Sequence, residues 1–373
     1  MENRQNKILL DCRFWGPSHT GLGRYTQELV TAMVDLKPKL KFLALASKKI
    51  PGLETVVTKI RPYSYAEQWQ LPGLIKEINP DLTHFLNFNL PFLFPGPFVV
   101  TIHDLIKHHS RGLATTTHWP GTYWLKRWGY QLVMKRAAAA AKKILVPSSW
   151  VKQDVIDHYP AAKEKIVITP EAANATYFKT GKAGVKLLPY DYFIYVGNAY
   201  PHKNVIQLIK AMKILARDNP KVKLVIVTGR DWFYQRLRLQ ITQLKAQAVV
   251  KLKDFTSDED LRRLYHGAVA FVTASFFEGF GLPGLEAMAG RTLVLASRRT
   301  ALPETYNGAA WFFNPDNLNE LVAKMKHLLT LSPAARARKL KRARDFCRHY
   351  SWEKTAQKTL DAYESCLGLR PRQ

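Results

Sequence analysis

The sequence predicts an α/β protein built from two doubly wound, Rossmann-like domains facing each other across a cleft. Three observations carry that expectation. The chain has 373 residues, 47% hydrophobic and 23% charged, which suits two domains at about 100–200 residues each and is too apolar for a disordered chain. Short apolar runs alternate with helix-like stretches from end to end, the pattern of parallel sheets with crossover helices. The alternation restarts after Gly181-Lys182-Ala183-Gly184, a polar, glycine-bearing stretch that reads as a linker. The expected division is an N-terminal domain over 1–182, a C-terminal domain over 183–350, and a C-terminal helix within 351–373 that packs back on the first domain.

In the first domain, strands are expected at Lys7–Asp11, Leu40–Leu45, Leu82–Phe85, Phe98–His103 and Lys143–Pro147, with helices at Gly21–Asp35 and Trp150–Tyr159. In the second, Tyr192–Val196, Lys223–Val227, Val249–Leu252, Val269–Thr273 and Leu293–Ser297 read as strands, and Asn204–Asp218, Asp258–His266, Gly284–Ala289 and Asn317–Leu331 as helices. No repeat of solenoid period is visible. No uninterrupted apolar run of about 18 residues occurs, so no membrane-spanning helix is expected, and the short apolar stretch Ile8-Leu9-Leu10 does not make a signal peptide. Cys12, Cys347 and Cys366 are an odd set without metal-ligand spacing, which fits a reducing compartment and a cytoplasmic location.

Three loops have the composition of phosphate and sugar sites. Gly21-Leu22-Gly23-Arg24-Tyr25 follows the first strand at the start of a helix, where glycines let backbone N–H groups approach an anion; a glycine pair there also serves tight packing. Val196-Gly197-Asn198-Ala199-Tyr200-Pro201-His202-Lys203-Asn204 follows the first strand of the second domain and opens a helix, placing Lys203 as a point charge beside a helix N-terminus. The third runs from Ala274 to Ala289, where Glu278 and Glu286 bracket Gly279-Phe280-Gly281 and a helix that begins near Pro283. Carboxylates accept strongly from hydroxyls, so a polyhydroxylated ligand is the expected occupant. Asp258-Glu259-Asp260 precedes a helix, where acids complement the dipole, and reads as a cap in preference to a metal site.

With these residues in place, the chain resembles the family-4 retaining glycosyltransferases of the GT-B fold, mannosyltransferases among them, over nearly its full length. The matching elements are Gly21 to Tyr25, Thr101-Ile102-His103-Asp104-Leu105, Val196-Gly197 through Lys203-Asn204, Glu278 to Glu286, Ala301-Leu302-Pro303-Glu304 and Tyr350-Ser351-Trp352. The resemblance implies a nucleotide-diphosphate sugar, a GDP- or UDP-sugar, as donor substrate, with no other cofactor and no metal. It implies that Glu286 binds the ribose and that Glu278, with the backbone at Phe280 and Gly281, binds the transferred sugar. Lys203 and the Gly21 to Gly23 loop would hold the diphosphate, His103 would contact the sugar near the reacting carbon, and Asn198, His202, Phe255 and Leu282 would complete the donor site. Asn198 and His202 stand where many relatives carry an arginine, which shifts diphosphate stabilisation toward Lys203, with His202 adding charge only if protonated. Leu293 replaces a common proline and reads as packing.

The net charge is +27, from 56 Lys and Arg against 29 Asp and Glu, a field that attracts polyanions or anionic bilayers. Leu105 to Gln153 holds nine Lys or Arg and no Asp or Glu. If helical, it places Trp119, Tyr123, Tyr130 and Met134 on one side and Trp124, Leu125, Trp128 and Leu132 on the other. One side suits the domain core, and the other suits either more protein or a bilayer interface. Arg336 to Arg348, seven bases and one acid, reads as a solvated helix face. The expected function is retaining transfer of a hexose from a nucleotide sugar to a hydroxyl of a lipid-linked or polysaccharide acceptor, as in lipopolysaccharide synthesis, by an enzyme peripheral on the cytoplasmic membrane face. The alternatives are a basic nucleic-acid-binding protein, for which no module is visible, and another GT-B enzyme such as a sugar epimerase.

Overall fold

The computed structural model describes residues 5–16, 19–110, 120–179, 187–254 and 256–369. In chain order its first part forms β1 (Lys7–Asp11), α1 (Thr20–Asp35), β2 (Lys41–Ala46), β3 (Glu54–Val57), α2 (Tyr65–Ile78), β4 (Leu82–Phe85), β5 (Phe98–Thr101), α3 (Ile106–His109), α4 (Pro120–Ala140), β6 (Lys143–Val146), α5 (Ser149–His158) and β7 (Ile166–Ile168). There follow β8 (Tyr192–Val196), α6 (Val205–Asp218), β9 (Lys223–Val227), α7 (Trp232–Gln243), β10 (Val250–Lys253), α8 (Asp258–Gly267) and β11 (Ala270–Thr273). The chain continues with α9 (Leu282–Ala289), β12 (Leu293–Ser297), α10 (Leu302–Tyr306), β13 (Trp311–Phe313), α11 (Leu318–Leu329), α12 (Pro333–Cys347) and α13 (Trp352–Cys366).

The chain divides into two compact units. The first gathers the described residues up to Lys107, then 120–171 and 351–369; the second holds 108–110 and those from Ala172 to Tyr350. The chain thus passes between units at Glu171 and Ala172, ahead of residues 181–184, which lie outside the described residues.

The first unit is a seven-stranded sheet of order β3-β2-β1-β4-β5-β6-β7, parallel throughout. Strand order reverses between β1 and β4, and doubly wound sheets take ligands at the carboxyl ends beside such a reversal. Its strands bury both faces, as parallel strands covered by helices must: Ile8, Leu9 and Leu10 are fully buried. α1 presents Tyr25, Leu29, Val30 and Met33 to the core, and α13 packs against it, with the Trp352 and Tyr25 rings 5.8 Å apart. α4 is unbroken from Pro120 through Gly129 to Ala140. Tyr130 and Met134 turn inward, whereas on the second side Trp124, Leu125 and Trp128 are 61%, 58% and 60% exposed and Leu132 is half-buried. Trp119 lies outside the described residues.

The second unit is a six-stranded parallel sheet, β10-β9-β8-β11-β12-β13, with its reversal between β8 and β11. α6 and α11 pack together, burying Leu208, Ile209 and Met212 of the one and Leu321 and Met325 of the other. The acids Asp258, Glu259 and Asp260 form the first turn of α8, behind a Ser257 cap whose hydroxyl accepts from the Asp260 N–H. They complement the helix dipole there. α12 is a helix of Arg and Lys with only Ala343 and Cys347 buried, the solvated face that its charge run predicts. No helix among the described residues is long and apolar enough to cross a membrane.

Candidate active site

In the second unit the candidate residues collect at the strand reversal. β8 ends at Val196 and the chain turns at Gly197, whose φ is +143° and where a Cβ would stand 3.1 Å from the Tyr195 hydroxyl. That hydroxyl donates to the Asn198 carbonyl at 2.8 Å and fixes the loop. Pro201 to Lys203 make one tight turn, and Asn204, in the left-handed region at φ +51°, leads into α6. On the neighbouring strand, β11 runs out through Ala274 and Ser275 to Glu278.

These two loops are joined. Lys203 Nζ meets Glu278 Oε2 at 2.7 Å, with the side chains 20% and 16% exposed. Ser275 donates its hydroxyl to Glu278 Oε1 at 2.8 Å, the Glu278 N–H donates to Thr300 Oγ1 at 2.9 Å, and the Phe276 N–H donates to the His202 carbonyl at 2.8 Å. A half-buried lysine and glutamate therefore stand preoriented at the carboxyl ends of adjacent strands. Such a pair offers a point charge for phosphate and a strong acceptor for hydroxyls. His202 does not add to that charge: burial, and then the neighbouring Lys203, drive its ring down to about 3, so it is neutral at physiological pH.

Glu286 is carried by α9, within the helix and buried. The Tyr265 hydroxyl lies 3.5 Å from its Oε2. α9 opens at Gly281, at φ +102°, and its start is pinned by Tyr306, whose hydroxyl donates to the Gly281 carbonyl at 2.6 Å. A Cβ on Gly284 would come within 2.2 Å of that hydroxyl, so the Gly281 and Gly284 pair is demanded by the Tyr306 ring. Burial first, and the nearby carboxylates of Glu278 and Glu286 as well, hold the Tyr306 hydroxyl well above its ordinary pKa, which places this tyrosine within the field of both acids. Phe280 is buried edge-on to Tyr350 at 5.5 Å, and Leu282 begins the helix. Phe255 lies outside the described residues. Thr300 and Tyr306 join this site from structure alone: they lie 22 and 25 residues from their partners, and no local pattern marks them.

In the first unit, His103 follows β5. Its Nδ1 stands 3.2 Å from Glu171 Oε1 and its Nε2 3.1 Å from the Leu86 carbonyl. The Tyr25 ring meets it edge-on at 4.4 Å. Asp104 accepts from the Ile106 N–H at 3.0 Å, at the start of α3. The glycines of α1 differ. A Cβ on Gly23 would fall 1.9 Å from the Gly16 carbonyl oxygen, so Gly23 serves close packing, whereas at Gly21 nothing lies within 4 Å. Arg24 is half-buried on the same turn.

Residues 19–176 match the model described as Glycosyltransferase Family 4 and residues 182–345 the model described as Glycosyl transferases group 1. The O-antigen chain mannosyltransferase RfbU of Salmonella typhimurium is 26% identical over 337 residues, covering 86% of this chain and 90% of that protein. The O-antigen chain mannosyltransferase B of Escherichia coli is 30% identical over 236 residues, covering 60% of this chain and 61% of that protein. Among solved structures, Anabaena Alr3699/HepE in complex with UDP and glucose superposes with a TM-score of 0.72 at 16% identity, over 97% of this chain and 100% of that one. None of these favours the nucleic-acid or epimerase readings. The two family models, which between them take in most of the sequence, and the two parallel-sheet units place the chain in one family: it is a group 1, family-4 glycosyltransferase of the GT-B fold.

Proposed function

We propose that the chain transfers a hexose, with retention of configuration and without a metal, from a GDP- or UDP-sugar to a hydroxyl of a lipid-linked or polysaccharide acceptor at a membrane surface. The Lys203–Glu278 pair at the strand reversal is the observation that carries this reading. In it, Lys203 and the N-terminus of α6 neutralise the departing diphosphate, an electrostatic role that grows toward the transition state. Glu278, with the backbone at Phe280 and Gly281, accepts from the sugar hydroxyls, and Glu286 accepts from the ribose. His202 and Asn198 line the diphosphate loop as neutral groups, and Leu282 and Phe255 border the nucleotide. The family resemblance, and nothing else, assigns Gly21 and His103 of the first unit to the same reaction. The donor is a substrate, and no further cofactor is required. The mannosyltransferase relatives support a hexose and a glycan acceptor, and the UDP complex of HepE supports a nucleotide donor. The exposed Trp124, Leu125 and Trp128 beside Lys126 and Arg127 support an anionic membrane as partner.

A panel of nucleotide sugars screened for thermal stabilisation, in EDTA and in its absence, tests the reading. A ligand at 100 times its dissociation constant adds about 2.7 kcal/mol, a plain rise in Tm. A panel in which no GDP- or UDP-sugar raises Tm rejects the donor class, and a rise that EDTA abolishes rejects metal independence.

A further inference from the structure

Both ring nitrogens of His103 face atoms that only accept. Nε2 is directed at the Leu86 carbonyl at 3.1 Å and Nδ1 at the Glu171 carboxylate at 3.2 Å, and the two side chains are 14% and 11% exposed. A neutral imidazole carries one N–H and satisfies one such acceptor. The second acceptor is satisfied only by a proton lying between Nδ1 and the carboxylate. The hydrogen bond and charge of Glu171 favour the charged ring, and the proton is assigned to the ring.

We infer that Glu171 is a positioning residue that holds His103 as a doubly protonated imidazolium, so that His103 serves sugar transfer as a fixed positive charge and not as a base. The inference rests on the glycosyltransferase reading for its chemical use. An imidazolium has no lone pair with which to take a proton. Its charge suits the negative charge that develops on a departing diphosphate.

The groups around the ring agree. Burial works against the charged ring, but the hydrogen bond and charge of Glu171, the Leu86 carbonyl and the charge of Asp104 outweigh it and raise the pKa of His103. From β4, His84 faces the same region and would compete for charge; burial and the His103 charge hold it down to about 3, so it stays neutral. Its Nε2 meets Thr101 Oγ1 at 2.9 Å, which in turn meets the Tyr25 hydroxyl at 3.0 Å. Tyr25, on α1, is kept protonated by burial first and then by the Glu171 charge.

The test is ring-nitrogen NMR of the full chain, with His103 assigned by His103→Gln, beside the pH profile of kcat at saturating donor sugar. In wild type both ring nitrogens are expected to carry protons at pH 7, and kcat is expected to fall on the alkaline side with the midpoint of the ring titration. Glu171→Gln is expected to move both midpoints down by at least one pH unit, and Glu171→Asp to restore most of the shift. A neutral His103 ring in wild type at pH 7, an unmoved midpoint in a folded Glu171→Gln, or a kcat profile that ignores the ring titration would overturn the inference. The ring titration is read without substrate. Failure of the donor reading, no transfer from any nucleotide sugar, is therefore separable from failure of the Glu171 and His103 assignment.

Discussion

Lys203 is held by one carboxylate contact at 2.7 Å in a half-buried setting, and on the proposed reading its value to catalysis lies in the difference between ground and transition states. Lys203→Ala is therefore expected to lower kcat more than tenfold at saturating donor while affecting affinity for the free sugar little. A loss under threefold, about 0.65 kcal/mol, would mark the lysine as ordinary surface. A second single-residue effect concerns acid stability. His84 is fully buried, bonded through Nδ1 to the Tyr363 hydroxyl at 2.5 Å, and its folded pKa of about 3 lies below that of an unfolded histidine, about 6.5. Below pH 6.5 the unfolded chain takes a proton that the folded chain refuses, so stability falls by about 1.4 kcal/mol per pH unit from this one group. His103 has the opposite sign and a different window: its stabilisation is complete below about 6.5 and is lost as pH rises through its raised folded value. Urea unfolding at pH 7 and 5 is expected to show the acid loss in wild type, and His84→Gln is expected to flatten that part of the difference.

At the scale of the element, α9 depends on the fit of its glycines to Tyr306. Gly284→Ala places a methyl 2.2 Å from a buried hydroxyl, an overpacking that typically costs about 1–3 kcal/mol. Removing the ring with Tyr306→Ala is expected to recover part of that loss, so chemical denaturation of the two single variants and the double should be non-additive; strict additivity would separate the two residues. α4 makes the corresponding statement for the surface. On the membrane reading, wild type is expected to sediment with anionic vesicles and to retain a salt-resistant fraction. Trp124→Ser with Trp128→Ser should lose that fraction and keep only binding screened beyond about 8 Å at physiological salt. Equal salt resistance in both would reject insertion of the tryptophans.

The elements also show what the sequence made legible. β1, β4, β8, β9 and β12 fall where the continuous apolar runs place them, because strands buried on both faces announce themselves by composition. β3 and β7 did not: the first is a four-residue edge strand whose Val57 is 58% exposed, the second has three residues, and neither buries enough to leave a pattern. α2 carries Pro72 and Gly73 inside it, residues that read as a break, and is held by tertiary contacts of Glu67 and Leu71. Among the candidates, Lys203 and Glu278, which the structure pairs, could be picked out because each belongs to a local string. Glu171 could not, because its meaning lies in a histidine 68 residues away.

At the scale of the whole molecule, each parallel sheet carries a candidate group on a loop after one of its strands, Lys203 after β8 at the reversal of the second sheet and His103 after β5, one strand beyond the reversal of the first. The net charge of +27 is spread over helix faces such as α12 and α4. One feature of the connectivity governs when this molecule can exist. α13 belongs to the first unit, yet it follows the entire second unit in the chain, and it brings Tyr363 to His84 and Trp352 to Tyr25. On the ribosome the first sheet is complete by Ile168 but waits for its last helix while residues 172–350 are made, on the order of 10–40 s at about 5–20 residues per second. During that interval the nascent first unit has an open seam along α1, and His84 lacks its Tyr363 partner. Closure of that seam by α13 is thus the last step in completing the first unit, whose core is finished only after the second unit has been made.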